Sequence, residues 1–460
     1  MPSKVRASLT AFAVLTLAAC SPPPDVILIT VDTLRADRLG CYGSSSTRTP
    51  NVDALAAEGL LFENAVAPLP ETRPSHYTLF TSLYPGDHGV VSNAAPAADG
   101  LALLPALFGD AGYATAGVAG CALFDAQAGA DLGFATFDPP EEPQRTADAV
   151  VDRALAWLAG RDRARPFFLW VHLFDPHMPY VPPPPLNGKS APADVEALPG
   201  FTWPRLLEIA GRHGGDLPRS VLDRARDLYD GEVEFVDQEL GRLFAALRAE
   251  GLYDNAVILL TADHGECFEN GVFFDHSQCL GEGALAVPLI LRFPARVEPG
   301  RTAAPVEHLD VAPALLRLAG LEVPPSFQGR GLLERREAEA PYAFFQQPLY
   351  RRADVTDRQQ VLDRLRSVAG EPTRRIAGDR LPFGVRRGPW KYVRSGDQET
   401  LYNLADDPAE RLDVAAREPA VVRELRRAAR QWMKDHPVKL GDASALDPAL
   451  VERLEALGYL

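Results

Sequence analysis

The chain has 460 residues, 46% of them hydrophobic, and carries a formal net charge of -15 with a pI near 5.1. That length and apolar content support one large core with a smaller appendage, and 36 Gly with 41 Pro fit an enzyme with long loops rather than a disordered chain. The acidic balance repels phosphate backbones and argues against nucleic acid as a partner, while allowing basic residues to be focused locally on an anionic small molecule.

In chain order, Lys4 and Arg6 precede ASLTAFAVLTLAA, an apolar stretch too short to span a bilayer as a stable helix. It ends in LAAC, Leu17 to Cys20, followed by SPPPD. Small residues before a cysteine resemble the bacterial lipobox. The expectation is a lipoprotein signal over residues 1–19, removed to leave Cys20 lipidated, with SPPP as a stiff spacer. The plainer alternative is an ordinary secretory signal with an incidental cysteine. On the first reading the protein is exported and lipid-anchored to a bacterial membrane, periplasmic or at the cell surface. Of the other cysteines, Cys41, Cys121, Cys267 and Cys279, the pair closest in sequence is Cys267 and Cys279. That pair is the expected bridge, although the sequence does not fix connectivity.

DVILITVDTLRAD holds a continuous apolar run, Val26 to Val31, that reads as a buried parallel strand ending at Asp32. PFFLWVHLFDPH, AVILLTADHGE and VPLILRF repeat the form. Between them NVDALAAEGLLF, ADAVVDRALAWLAG and ARDLYDGEVEFVDQELGRLFAALRAEG read as helices, the last two stopping at Gly160 and Gly251. Alternating strands and helices predict an α/β domain with a largely parallel sheet, and such folds place their sites at the carboxyl ends of the strands. YVPPPPLNGKSAPADVEALPG reads as a surface loop near the pocket, and the charged segment near 351–375 as an inserted helix. FGVRRGPWKYVRSGDQETLYNLADDPAERLDV alternates like a small antiparallel sheet, with a helix following it. The expected division is signal 1–19, catalytic domain 20–330 and C-terminal subdomain 331–460.

Asp263 and His264 in DHGE follow an apolar strand and pair a hard carboxylate with an imidazole, as a metal site requires. Alone, they also read as a helix cap and a turn histidine. With Asp32 ending an equivalent strand, the metal reading is the stronger. HLFDPHMPY offers His172, Asp175 and His177, and FFDHS offers Asp275 and His276. The chain has only 9 His, so the grouping of His76, His172, His177, His264 and His276 favours convergence on one anionic substrate. His172 lies inside a strand run and also reads as a hydrogen-bonded core residue.

VDTLRADRLGCYG, TPNVDALAAEGLLFENAVAPLPETRPSHYTLFTSLYPGDHGV, FDPHMPY, TADHGE, VPLILRFP and LYNLADDPAE occur in the order seen in sulfatases of the alkaline phosphatase superfamily. The resemblance runs from about Asp25 to about Trp432. It implies a large mixed, mostly parallel sheet flanked by helices, and a small C-terminal antiparallel sheet with a helix. It also implies a metal-dependent hydrolase of sulfate or phosphate esters. The chain departs from the pattern where sulfatases carry Cys or Ser, then x-Pro-x-Arg, and convert the first residue to formylglycine. TRPSH places Thr72 at that position and His76 where the Arg stands, and Thr33 where a second Asp is common.

Thr72 is no formylglycine precursor. Phosphodiesterase and phosphatase relatives in the superfamily use Thr or Ser directly as nucleophile, with Asp, Asp and His on the metal. Asp32, Thr72, Asp263 and His264 match that set. Asp175, His177 and His276 are candidates for a second metal set, or else bind the anion and protonate the leaving group around a single metal. His76 is expected to balance charge on the non-bridging oxygens, and His276 or His177 to supply the leaving-group proton. Ser75 is a rival nucleophile, but the register to TSLYP favours Thr72. The implied cofactor is one or two divalent ions, Ca, Mg, Mn or Zn. The expected substrate is a small-molecule, glycan or lipid sulfate or phosphate ester. The competing classes are a phospho-headgroup transferase using the same threonine and a non-catalytic binding lipoprotein.

Overall fold

A computed structural model describes residues 22–124, 132–186, 203–213, 217–269, 276–277, 279–335, 341–348 and 382–437. The expected lipoprotein signal with Cys20, most of the surface loop after Tyr180, Asp275 and the charged segment near 351–375 lie outside them.

The apolar runs became the centre of a nine-stranded sheet. β1 (Val26–Val31) lies between β5 (Phe167–Leu173) and β6 (Val257–Ala262), parallel to both, and every residue of the three strands is buried. Burial on both faces is why these strands read as continuous apolar runs instead of alternating. β3 (Ala114–Ala119) and β4 (Thr136–Asp138) continue the parallel half beyond β5. On the other side the sheet turns antiparallel. β8 (Leu289–Arg292), from the predicted run VPLILRF, pairs antiparallel with β6 and with β2 (Leu60–Val66). β2 also holds β7 (Ala286–Val287) antiparallel and β9 (Gly300–Glu307) parallel.

Register sets the site. Thr30 lies beside His172 on one flank and Thr261 on the other, and Val31 beside Leu173 and Ala262. Ala119 of β3 pairs with His172. Four strands therefore end nearly level, and the residues just past those ends, Cys121, Asp32 and Asp263, share one edge.

Helix Ala147–Gly160 has the bounds read from the sequence, and helix Arg219–Ala249 begins six residues before the expected stretch. Among the described residues no helix is long and apolar enough to cross a membrane. β10 (Ala343–Gln346), β11 (Phe383–Arg387), β12 (Trp390–Ser395) and β13 (Gln398–Asn403) form the predicted small antiparallel sheet. Helix Pro419–Asp435 covers it, placing Val422, Leu425, Ala429, Trp432 and Met433 against Val385, Tyr392 and Leu401 in a second core.

Candidate active site

Asp32 is the first residue beyond β1 and Asp263 the first beyond β6, so the parallel register brings two carboxylates together at the buried edge of the sheet. His264 follows at once. Asp32, Asp263 and His264 are fully buried, and their ligand atoms all lie within 4.8 Å of one another. His264 Nε2 is 3.5 Å from Asp263 Oδ2 and 3.9 Å from Asp32 Oδ1. The turn that aims Asp32 inward is strained. Thr33 has φ +51°, a left-handed conformation that a β-branched residue avoids. Its N–H donates to Asp263 Oδ1 at 3.3 Å and its carbonyl accepts from the Tyr229 hydroxyl at 2.7 Å.

Thr72 opens helix Thr72–Thr81, all ten residues of which are buried. Its hydroxyl donates to Asp32 Oδ2 at 3.3 Å, placing it at the rim of the carboxylate pair and at the positive end of a helix. Ser75 is otherwise engaged. Its hydroxyl donates to the Asp263 carbonyl at 2.6 Å and lies 3.0 Å from His308 Nδ1, which removes it as a rival nucleophile.

His76 requires a correction. Its Nδ1 is 2.7 Å from the Thr72 carbonyl and its Nε2 is 3.0 Å from Thr30 Oγ1, so both nitrogens are engaged within the protein. Burial pulls its pKa down to about 3, leaving it neutral. It packs edge-on to Phe124 and Trp170. A neutral histidine with both nitrogens occupied does not take over the charge-balancing role expected from its place in TRPSH; it holds the first turn of the Thr72 helix.

Asp175 requires another. Its Oδ2 accepts the Ala147 N–H at 2.7 Å, at the start of helix Ala147–Gly160. Among the described residues Asp175, His177 and His276 do not form a group with ligand distances. The two histidines nevertheless reach the site. The His276 ring lies 4.4 Å from His264 and 5.4 Å from His177, and His276 Nδ1 is 3.4 Å from Glu266 Oε1. His177 and His276 are 7% and 6% exposed, whereas the carboxylates beneath them are sealed, which puts the two rings on the outer side of the cluster. Burial, with His276 beside it, lowers His177 to about 3.

The donor set fits a divalent cation. Asp32 Oδ1, Asp263 Oδ2 and His264 Nε2 are buried and have no hydrogen-bond partner among the described residues. Orphaned polar atoms of this kind are costly unless something absent from the protein alone satisfies them. Burial, with the Asp263 charge adding to it, pushes Asp32 well above the usual carboxylate range, and burial pushes Asp263 up to about 7. Burial holds His264 neutral, as a ligand must be. Two carboxylates and one imidazole around a cation would remove all of these penalties together.

Several residues in the cluster carried no sequence signal. Thr30 sat inside an apolar run, Cys121 followed a short strand, and His308 stood outside any motif. Cys267 and Cys279 form the expected disulfide, across the segment that carries His276.

The sulfatase family matches residues 24–321 of this chain. An N-acetylglucosamine-6-O-sulfatase of Bacteroides thetaiotaomicron is 26% identical over 422 residues, 72% of this chain and 75% of that protein. A multifunctional alkaline phosphatase superfamily protein of Trinickia caryophylli is 27% identical over 397 residues, 67% of this chain and 76% of that protein. Among solved structures, BT4656 in complex with its substrate D-glucosamine-2-N,6-O-disulfate shares the fold with TM-score 0.71 and 21% identity, over 90% of this chain and 98% of that one. The phosphonate monoester hydrolase of Agrobacterium radiobacter does so with TM-score 0.64 and 24% identity, over 89% and 96%. With the fold, the carboxyl-edge donor cluster and a family match across most of the described chain, this protein belongs to the sulfatase family and is an ester hydrolase of that family.

Proposed function

We propose that the chain hydrolyses an anionic ester, a sulfate or phosphate ester of a saccharide or other small molecule, with Thr72 Oγ1 as the nucleophile. The observation that carries this reading is the Thr72 hydroxyl, held at the N-terminus of a buried helix and hydrogen-bonded at 3.3 Å to Asp32 Oδ2 beside the orphaned ligand atoms. Asp32, Asp263 and His264 would hold the metal, which supplies charge to lower the pKa of the Thr72 hydroxyl and offset the non-bridging oxygens. The hydrogen bond to Asp32 orients the hydroxyl and gives its proton a first acceptor. Thr72 attacks sulfur or phosphorus, the bond to the ester oxygen breaks, and His276, on the outer side of the cluster, gives that oxygen its proton. Water then cleaves the ester on Thr72. His177, with Nδ1 on the Met178 carbonyl at 2.7 Å and its pKa lowered to about 3, is less suited to that transfer. Two buried carboxylates with an imidazole favour Ca, Mg or Mn here.

Thr72 favours the phosphorus centre as a second reading. A threonine ester lacks the geminal hydroxyl by which a formylglycine adduct collapses, so its release depends on attack by water, which is routine at phosphorus. The name of the Bacteroides thetaiotaomicron relative supports a sulfated glycan instead. The disulfide supports an exported placement, since such bridges persist in oxidising compartments.

The test is turnover of matched aryl sulfate, phosphate monoester, phosphodiester and phosphonate substrates sharing one leaving group, each with Ca, Mg, Mn and Zn. Thr72→Ala is expected to lose at least about a thousandfold in kcat, as removal of a nucleophile does. Sulfate turnover lost in Thr72→Ala would establish a threonine-dependent sulfatase, and phosphorus-centred turnover alone would establish the second reading. Full activity in Thr72→Ala would overturn both.

A further inference from the structure

A second group of buried donors adjoins the first, and of it the proposed mechanism uses only Asp32, whose Oδ2 accepts from Thr72. Cys121 lies two residues beyond the end of β3, His172 lies on β5, and Asp32 contributes its other face. Cys121 Sγ is 3.6 Å from His172 Nε2, which is 3.6 Å from Asp32 Oδ2. All three residues are fully buried, and their ligand atoms lie within 4.8 Å of one another.

Proton bookkeeping fixes which way His172 faces. Thr30 Oγ1 has one proton to give and two lone pairs. Trp170 Nε1–H donates to it at 2.9 Å. Neutral His76 donates from Nδ1 to the Thr72 carbonyl, so its Nε2 accepts the Thr30 proton. One lone pair of Thr30 remains, and it takes the His172 Nδ1–H at 3.0 Å. His172 Nε2 is therefore the bare nitrogen, aimed at Cys121 and Asp32, with its other nitrogen anchored by a hydrogen bond as in histidines that bind metals.

The spacing also fits. Zinc bonds of about 2.3 Å to sulfur and about 2.05 Å to nitrogen at a tetrahedral angle put the two ligands about 3.6 Å apart. We propose that Cys121 Sγ, His172 Nε2 and Asp32 Oδ2 bind a second, thiophilic divalent cation of the zinc class, with the Asp32 carboxylate bridging it to the oxygen-rich site. Binding forms the sulfur–metal bond and releases the thiol proton to solvent. Without the cation Cys121 stays protonated, because burial and then the Asp32 carboxylate push it up, and its S–H donates to His172. Sulfur and nitrogen select zinc or cobalt, whereas the neighbouring site, with two carboxylates, suits harder ions. The inference goes beyond the proposed function and shares with it only Asp32.

The test uses the full chain, stripped with a chelator, reloaded with Co2+ and desalted. Metal per chain is counted, and near-ultraviolet absorption reports thiolate–cobalt charge transfer. The native protein is expected to hold two cobalt ions and show the band. Cys121→Ala, checked for folding by circular dichroism, is expected to hold one and lose it. Cys121→Ser keeps the volume and a ligand oxygen and is expected to lose the band even if Cys121→Ala fails to fold. Asp263→Asn is expected to keep the band while losing the other ion, so the two sites fail separately. Cys41, the other free cysteine among the described residues, and Cys20 are common to every variant and cancel. A native protein with no thiolate band, or one whose band survives in Cys121→Ser, overturns the proposal.

Discussion

One hydroxyl, Thr30 Oγ1, receives the Trp170 indole N–H at 2.9 Å and lies 3.0 Å from both His76 Nε2 and His172 Nδ1. It sets the tautomers of two histidines, and through His76 it reaches the Thr72 carbonyl. Thr30→Val keeps the shape and the strand preference but leaves three buried polar groups without a partner. At about 1–3 kcal/mol for each group left unpaired, the expected loss is on the order of several kcal/mol. It should appear as a lower urea midpoint and a fall in kcat, with Thr30→Ser close to native. A Thr30→Val protein as stable and active as native would dissolve this network. Only His172 was legible in the sequence, as a hydrogen-bonded core residue of its strand; its partners were not. A β-branched residue inside VILITV reads as strand core, and only the pairing of β1 with β5 sets it beside His172. Asp32 and Asp263 were legible because each is the first residue past an apolar strand, with His264 next, where parallel sheets gather polar side chains. His76 and Asp175 were misread because a motif gives position in the chain, while hydrogen-bond partners come from elsewhere in the fold.

At the scale of elements, helix Ala147–Gly160 could be read to its bounds because one face stays exposed and the apolar positions recur with helical spacing. Helix Thr72–Thr81 could not, because it is buried on every side and its polar residues are buried along with the apolar ones, so no exposed face reveals a period. The turn His308–Asp310 packs against that helix and carries a charge problem of its own. Glu307, just before the turn, accepts from the Tyr84 hydroxyl at 3.2 Å and from the Phe344 N–H at 3.2 Å. Burial first, and Asp310 next, raise its pKa from 4.5 to about 8, with Arg335 opposing them. Between those values the unfolded chain releases the proton while the folded chain keeps it. The stability this group contributes is therefore full below pH 4.5 and declines as pH rises towards 8. Glu307→Gln removes the titration and preserves the acceptor oxygen. Its stability relative to native should improve between pH 5 and pH 8 by an amount on the order of a few kcal/mol, at about 1.4 kcal/mol per pKa unit. Chemical denaturation at both pH values measures the difference. A gap that stays constant would mean Glu307 ionises in the folded protein as it does in the unfolded one.

The small C-terminal sheet is joined to the large one by buried charge. Lys391 of β12 is fully buried, with Nζ 2.9 Å from Glu282 Oε1 and 2.7 Å from Glu410 Oε1. Arg386 of β11 reaches the same Glu282 at 2.9 Å and Asn64 of β2 at 3.0 Å. Thus Arg386 and Lys391 of VRRGPWKYV turn into the interface with the large sheet, whereas Arg387 pairs with Glu424 of the C-terminal helix. Glu410, the last acid of LYNLADDPAE, does more than cap a turn. It also accepts the Glu282 N–H at 2.6 Å and lies close to Gly281, two residues past the disulfide. The small sheet therefore braces the segment that runs from His276 into β7. Strand periodicity predicted that sheet correctly, yet which of its residues would face inward depended on docking partners such as Glu282 and Asn64, 104 and 322 residues before Arg386 in the chain. Removing one partner of a buried ion pair costs about 3–5 kcal/mol, because the remaining charge is stranded. Lys391→Met should lose stability of that order and raise the KM for substrate as the braced segment loosens, and Lys391→Met with Glu410→Gln should recover part of the loss. Urea unfolding of the two variants with native protein gives the coupling directly. A single-variant loss below about 1 kcal/mol, within the range of an exposed pair, would mean that apolar contacts alone hold the subdomains together.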